Sequence, residues 1–219
     1  MLSRREYTVG AQVLPTYQLS AGELVSRYHT AGRSVILYAG TFEAYQGLEL
    51  LVEAAPRVLA VRPATIFLCI GGKAAQIAAL QRQAAANGCQ HGFVFPGEVV
   101  PEALEPHYAL ADVLVSLRVS GTNTPLKIYS YLRSGVPIVA TNVRSHTQVL
   151  TPEVALLVEP RADAIAAGIL QLLDDHDLAG RLSQNARRLA QEAFGPEAYY
   201  AKVADVYAFL EAQRRPRSR

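Results

Sequence analysis

The sequence has little of what marks several common classes of protein, and each absence limits what it can do. Only two cysteines, Cys69 and Cys89, occur in 219 residues, and they form no metal-binding pattern. We therefore expect a reducing compartment, with Cys69 as a small core residue. No apolar run approaches the roughly 20 residues that a membrane-spanning helix needs, and the N-terminus lacks the continuous apolar core of a signal peptide. We expect a cytoplasmic protein, with peripheral contact to the inner face of the membrane left open.

The sequence also lacks a large excess of either positive or negative charge. The formal net charge is +2, the sequence pI is about 8.6, and arginines at the extreme C-terminus account for much of the excess. Nucleic-acid-binding domains usually carry a strong basic patch, so this balance argues against a nucleic-acid partner. Half of the residues are hydrophobic, which is enough to bury one substantial core, or one domain with a helical appendage.

From residue 34 onward, strand and helix patterns alternate along the chain. Apolar and β-branched runs predict six strands, at residues 35–40, 64–70, 93–95, 112–117, 136–141 and 154–158. Segments with helical spacing lie between them, which implies right-handed crossover connections. The pattern therefore predicts an α/β fold with a doubly wound parallel sheet, followed by C-terminal helices.

These patterns divide the chain into three parts. Residues 1–33 form a linker or the remnant of an N-terminal domain, residues 34–160 a Rossmann-like domain, and residues 161–219 a helical extension packed on it. The last predicted helix has a broad apolar face: Tyr199, Tyr200, Val203, Val206, Tyr207 and Leu210. We favour packing of this face on its own domain and keep docking on another domain as the alternative. A frayed basic tail is expected at Arg214, Arg215, Arg217 and Arg219.

The strongest functional signal lies after the fourth predicted strand. Thr124 is a suitable N-cap and Pro125 suits the first position of the next helix. Free N–H groups at such a helix start point to the edge where open parallel sheets bind ligands. Gly121 would let a phosphate approach the backbone, while Arg118 and Lys127 supply positive charge. The alternative is that Thr124 and Pro125 only cap a helix and Lys127 is solvated.

The first strand exit differs from a dinucleotide-binding loop. Residues 40–43 contain one glycine, whereas the dinucleotide fingerprint needs three. A nicotinamide cofactor is therefore not expected. His146, which follows the fifth predicted strand, is either an acid or base in catalysis or, as we favour, a residue that caps or fills space on a short helix.

Seven short motifs lie, in order, at residues 38–41, 46–51, 95–97, 111–113, 124–128, 134–141 and 157–160. Together they resemble the C-terminal domain of a group 1 glycosyltransferase with the two-Rossmann-domain (GT-B) architecture. The resemblance spans about residues 34–210 and implies a domain that holds a nucleoside-diphosphate sugar, with no metal and no further cofactor.

The resemblance also implies roles for individual residues, with departures from the family pattern. Thr41, after Gly40, and Gln46, before the next glycine, stand where many members have an arginine and a lysine directed at the donor diphosphate. Thr122 and Ser130 stand where many members have two glutamates, and neither residue can make the charge-assisted bond of a carboxylate.

The loop at residues 121–127 resembles the corresponding loop in a branch of the family that does not have these glutamates. Arg118 and Lys127, our catalytic candidates, are hypothesised to supply the lost positive charge, aided by backbone N–H groups of Thr122, Asn123 and Thr124. The turn at Gly97 and Glu98 resembles the base-binding loop of the family.

The implied reaction is sugar transfer from a nucleoside diphosphate to an acceptor hydroxyl, and retention of anomeric configuration is suggested by the resemblance alone. In this architecture the acceptor site belongs to an N-terminal domain, for which 219 residues leave no room. We therefore expect such a domain in cis or as a separate partner chain. The alternatives are a non-catalytic nucleotide-binding or regulatory module with a degenerate glycosyltransferase fold, and an unrelated nucleotide-binding α/β protein.

Overall fold

A computed structural model describes residues 19–214, so expectations for residues 1–18, Arg215, Arg217 and Arg219 lie outside the described residues. Within this range, six strands form one parallel sheet in the order β3-β2-β1-β4-β5-β6. Their bounds are β1 Ser34–Ala39, β2 Thr65–Ile70, β3 Phe93–Gly97, β4 Val113–Ser116, β5 Ile138–Thr141 and β6 Leu156–Val158. The predicted doubly wound parallel sheet is confirmed.

Helices cover both faces of the sheet and bury two hydrophobic clusters against it. Their bounds are α1 Ala21–Tyr28, α2 Leu48–Val61, α3 Ala74–Ala86, α4 Leu104–Tyr108, α5 Lys127–Ser134, α6 Arg144–Thr147, α7 Ala162–Asp174, α8 His176–Phe194 and α9 Pro196–Arg214. Between β3 and β4 the chain forms a 3-10 turn, Pro101–Ala103, followed by the short α4. No helix in the described part of the chain is long and apolar enough to cross a membrane.

Residues 20–28 form a short capped helix that packs on the domain, within the segment 1–33 that we expected to be a linker or the remnant of an N-terminal domain. A capping box between Ser20 and Glu23 starts α1. Leu24 and Tyr28, one turn apart, bury the inner face of this helix. The Tyr28 hydroxyl lies 3.0 Å from Nε2 of the buried His107, which fixes α1 against α4.

Pro56 lies inside α2, which nevertheless continues to Val61. Proline has no N–H, so the carbonyl of Val52, four residues earlier, loses its helical partner. That carbonyl accepts from Asn87 Nδ2 at 3.5 Å and from Cys89 Sγ at 3.8 Å. Side chains beyond the end of α3 thus replace the missing backbone bond.

The last helix does not pack by its apolar face as we favoured. Exposed fractions run from 50% for Leu210 to 68% for Tyr200, and Tyr199, Val206, Tyr207 and Phe209 lie between these values. The preceding α7 and α8 do pack on the domain, through buried residues such as Ile169 and Leu182. An exposed apolar face on α9 is therefore available to another surface.

The order of the strands reverses between β1 and β4, which makes the carboxyl edge of these two strands the expected ligand crevice. Helix α5 is fixed above it by the buried Tyr131, whose hydroxyl accepts a hydrogen bond from the Ala39 N–H at 2.9 Å. This bond joins α5 directly to the end of β1.

We predict that Tyr131→Phe lowers the free energy of unfolding by about 1–3 kcal/mol, because the buried N–H of Ala39 would lose its acceptor. Urea unfolding followed by circular dichroism measures the change. Tyr129→Phe is the matched control, since Tyr129 lies on the same helix, half-buried against the Phe194 ring. Equal effects of the two substitutions would contradict the prediction.

Candidate functional site

Three side chains lie around the amino group of Lys127 at the carboxyl end of β1. Lys127 Nζ lies 3.8 Å from the centroid of the Tyr38 ring and donates to Gln46 Oε1 at 3.3 Å. Gln46 Nε2 lies 3.4 Å from Thr41 Oγ1, and the Tyr38 hydroxyl donates to the Thr41 carbonyl at 2.6 Å. We call Tyr38, Thr41, Gln46 and Lys127 the lysine cluster. Three of these residues were predicted from the sequence as site residues, and the fourth, Tyr38, was not.

Gly40 lies beside the lysine cluster and keeps it open. A Cβ at Gly40 would lie 3.3 Å from Lys127 Nζ and 3.2 Å from the Tyr38 hydroxyl. Any larger residue would therefore fill the space next to the amino group. The structure brings the predicted Gly40, Thr41, Gln46 and Lys127 together.

A second group of residues surrounds Arg118 at the exit of β4. The Arg118 guanidinium lies over the Tyr45 ring, 5.2 Å from its centroid, and Nη1 donates to the Asn123 carbonyl at 2.8 Å. A Cβ at Gly121 would lie 3.2 Å from the same Nη1. We call Tyr45, Arg118, Gly121 and Asn123 the arginine cluster. Tyr45 was not predicted from the sequence.

The two clusters lie next to each other because the loops after β1 and β4 pack closely. Val119 N–H donates to the Tyr45 carbonyl at 3.0 Å. Gly47, at the start of α2, has φ +72, and a Cβ there would collide with the Leu117 carbonyl oxygen. Only glycine satisfies both conditions, so this position lets the first loop lie against the end of β4.

The positive charges of the site are not balanced by a carboxylate. Burial, and next the positive charge of Arg118, lowers the pKa of Lys127 well below its ordinary value. Among the side chains that the structure describes, the ion pairs are Arg62–Asp174 and Arg161–Asp163, so neither Arg118 nor Lys127 takes part in one. Two neighbouring cations without an acidic partner attract an anion.

The expected cap at Thr124 and Pro125 is wrong. Helix α5 begins at Lys127, after Leu126, and no side chain caps it. Its first turn is closed by the carbonyl of Pro125, which accepts from the Ile128 N–H at 3.0 Å. The Thr124 hydroxyl instead donates to Gln148 Oε1 at 3.0 Å, so it is directed away from the helix start.

Gln148, just after α6, holds the loop between Arg118 and α5. Its Nε2 donates to the Thr122 carbonyl at 2.8 Å, in addition to the bond from Thr124. The sequence prediction missed Gln148, because no local pattern indicates that a glutamine 24 residues away reaches this loop. Thr122, Asn123 and Thr124 thus lie at the site in a conformation set by Arg118 and Gln148.

The remaining predicted residues lie farther along the sheet or on another surface. Gly97 ends β3, and its carbonyl accepts from the Gly71 N–H at 2.7 Å, while a Cβ on Gly71 would collide with the Gly40 carbonyl. Gly97 and the exposed Glu98 therefore lie at the same edge, two strands from β1. Ser130 lines a separate groove between α4 and α5, with a volume of about 520 Å³, beside Tyr108.

His146 is an interior residue, which favours our structural interpretation of it. It is completely buried, with Nε2 2.9 Å from Ser116 Oγ and Nδ1 2.9 Å from the Thr141 carbonyl. Nδ1–H donates to the carbonyl, so Nε2 accepts from the serine hydroxyl. Burial lowers the pKa of His146 to about 4. The residue fixes α6 to the ends of β4 and β5.

Comparison with known proteins identifies relatives over most of the chain. A family model described as "Glycosyl transferases group 1" matches residues 33–175. An uncharacterized glycosyltransferase of Methanocaldococcus jannaschii, MJ1607, is 27% identical over 177 residues, which are 79% of this chain and 44% of that protein. The alpha-D-kanosaminyltransferase of Streptomyces kanamyceticus is 25% identical over 84% of this chain and 48% of its own. The chain thus spans less than half the length of these curated relatives.

Solved structures show the same fold at low sequence identity. A glycosyltransferase from Rickettsia africae superposes with a TM-score of 0.77 at 19% identity, over 88% of this chain and 52% of that one. Anabaena Alr3699/HepE, solved in complex with UDP and glucose, gives 0.77 at 16% identity, over 88% and 54% of the two chains.

We predict that His146 makes the folded protein less stable as the pH falls. An unfolded histidine titrates near pH 6.5, so between pH 6.5 and 4 the unfolded chain binds more protons than the folded one. The free energy of unfolding should therefore decrease over this window, by at most about 3 kcal/mol from this residue.

Urea unfolding at pH 7 and pH 5 measures the effect. The buried His107 also has a lowered pKa and contributes in the same direction, so the comparison is between wild type and His146→Gln. The variant should lose part of the pH dependence, whereas His91→Gln, at an exposed position, should keep all of it. An unchanged pH dependence in His146→Gln would refute this assignment.

Proposed function

Because the chain belongs to the group 1 glycosyl transferases, we propose that it is the donor-binding half of a glycosyltransferase. The half binds a nucleoside-diphosphate sugar, and the complete enzyme transfers the sugar to an acceptor hydroxyl. One observation carries the proposal. Arg118 and Lys127 lie side by side at the point where the strand order reverses, and neither has a carboxylate partner among the described residues.

A diphosphate is the ligand that fits this electrostatic arrangement. Burial and, next, repulsion from Arg118 lower the pKa of Lys127, and an anion between the two cations would relieve that repulsion. The lysine and arginine clusters offer one cation each, beside glycines that leave room for phosphate oxygens. Two adjacent phosphates would therefore match two adjacent cations.

The same residues would assist the chemical step. When the bond between the sugar and the diphosphate breaks, the diphosphate leaves with additional negative charge, and the sugar becomes cation-like. Charged donors already directed at the leaving group stabilise that state without reorganisation. In this proposal Arg118 and Lys127 are the catalytic residues of this half.

The acceptor site is proposed to lie on a second domain, in cis or on a partner chain. Two observations support this. The chain covers less than half of its curated relatives, which leaves length for another domain in proteins of this kind. The exposed apolar face of α9 also offers a surface that such a domain could cover. A cytoplasmic location, peripheral membrane contact and the absence of a metal or cofactor stay predictions.

A non-catalytic nucleotide-binding module is the second candidate. Threonine and serine at positions 122 and 130, in place of the glutamates of many family members, favour it. Ser130 also lines the groove beside α4 instead of joining the two clusters. Sugar transfer by the chain together with an N-terminal α/β domain would decide for the transferase.

Calorimetric titration of the chain with UDP, GDP and ADP tests donor binding. UDP comes first because the similar Anabaena structure contains it. We expect one nucleotide to bind, and Arg118→Ala and Lys127→Ala each to weaken it by about tenfold or more, since each removes a charge-assisted contact.

Arg57→Ala is the control for loss of a positive charge. Arg57 is exposed on α2, away from the two clusters, and its removal should leave affinity within about twofold. Absence of binding by all three nucleotides, or equal weakening in the Arg57 variant, would remove the basis of the proposal.

Lys127 also makes a pH-dependent prediction. Because its pKa is lowered and an anion favours its charged form, nucleoside-diphosphate affinity should fall as the pH rises from neutral toward the ordinary range of lysine. A terminal phosphate titrates near pH 6 and adds little change in this range. Lys127→Arg keeps its charge throughout, so its affinity should stay constant. Parallel slopes for the wild type and this variant would exclude Lys127 as the titrating group.

A further inference from the structure

Two buried polar atoms have no hydrogen-bond partner, and the side chains that carry them border the same glycine. In the part of the chain that the structure describes, these atoms are Arg118 Nε and Ser145 Oγ. Ser145 is completely buried, in the first turn of α6. Buried donors without partners are costly and uncommon in folded proteins, so two together require an explanation.

Gly121 separates these two side chains. A Cβ at Gly121 would lie 3.2 Å from Arg118 Nη1 and 3.9 Å from Ser145 Oγ. The position of a single missing methyl group is thus bordered by a guanidinium and a hydroxyl. Gly121 has φ +125, which other residues rarely adopt, so the turn keeps this space free of side-chain atoms.

The backbone at Ser145 is held in place by the side chain of the next residue, His146. His146 is bonded to Ser116 on β4 and to Thr141 on β5, so the start of α6 is fixed to the sheet. The turn at residues 121–123, which covers Ser145, is held by fewer and more exposed contacts. Gly121, Thr122 and Asn123 are exposed, and the bonds that hold them come from the side chains of Arg118 and Gln148.

We propose that Ser145 is a binding residue of the donor site, which rests on the function proposed above. When the turn at Gly121 moves outward, the Asn123 carbonyl releases Arg118, and Ser145 Oγ–H and Arg118 Nε–H donate to one phosphate of the donor. The lysine cluster holds the other phosphate. Two hydrogen-bond donors beside a fixed positive charge match an oxyanion and disfavour a cation.

Ser145→Ala tests the inference because binding and stability should respond differently. The hydroxyl has no partner in the free protein, so its removal should leave the melting temperature unchanged or raise it. Affinity for the nucleoside diphosphate that binds tightest among UDP, GDP and ADP should fall by about tenfold. Affinity for the matching monophosphate should change by less than about twofold, because one phosphate occupies the lysine cluster alone.

Ser134→Ala is the matched control. Its hydroxyl donates to the Tyr131 carbonyl at 2.8 Å at the far end of α5. This variant should lower the melting temperature and leave affinity for both nucleotides unchanged.

The other outcomes separate a failure of this inference from a failure of the proposed function. If the wild type binds a diphosphate and Ser145→Ala binds it equally, the inference is wrong and the proposed function stands. If Ser145→Ala lowers the melting temperature and weakens diphosphate and monophosphate alike, the hydroxyl has a structural role and the inference is also wrong. If the wild type binds none of the nucleotides, the proposed function fails and the inference fails with it.

Discussion

Two positive charges held side by side without a carboxylate are the constraint on which the site depends. Arg118 and Lys127 come from the loop and helix after β4, and they meet the loop after β1 where the strand order reverses. Such a pair is costly, because burial and, next, the positive charge of Arg118 disfavour the charged form of Lys127 and lower its pKa. The aromatic rings of Tyr38 and Tyr45 lie against the two cations and offset part of this cost. An arrangement of this kind is consistent with an anionic ligand.

Buried hydrogen bonds beneath the cations keep this arrangement in place. Tyr131 joins α5 to the end of β1, and His146 joins α6 to β4 and β5. Helix α5 carries Lys127, and the residues that follow α6 include Gln148, which holds the loop at Thr122. The interior is therefore rigid where it supports the charges, while the covering turn at Gly121 is exposed. This contrast is suited to a site that admits a ligand of several atoms.

Some residues of the site could be predicted from the sequence, and others could not. Gly40, Gln46 and Lys127 were predicted from motifs and do meet, because strand exits of a parallel sheet share one edge. The cap at Thr124 was predicted wrongly, because the Thr124 hydroxyl bonds to the side chain of Gln148 and does not accept from the N–H groups of the helix. The packing of α9 was also predicted wrongly, because helical spacing of apolar residues does not say which surface they cover.

The alternation of strands and helices follows from the sequence alone, and so do the parallel sheet and the edge at which a ligand would bind. That information is local: periodicity, glycines at strand exits and the order of the motifs. Which side chains meet at that edge depends on the folded chain. Tyr38 contacts Lys127, 89 positions later, and Gln148 holds the carbonyl of Thr122, 26 positions earlier, and no pattern of neighbouring residues encodes these contacts. The physical reason is that burial, charge and hydrogen-bond satisfaction depend on every element packed around a site.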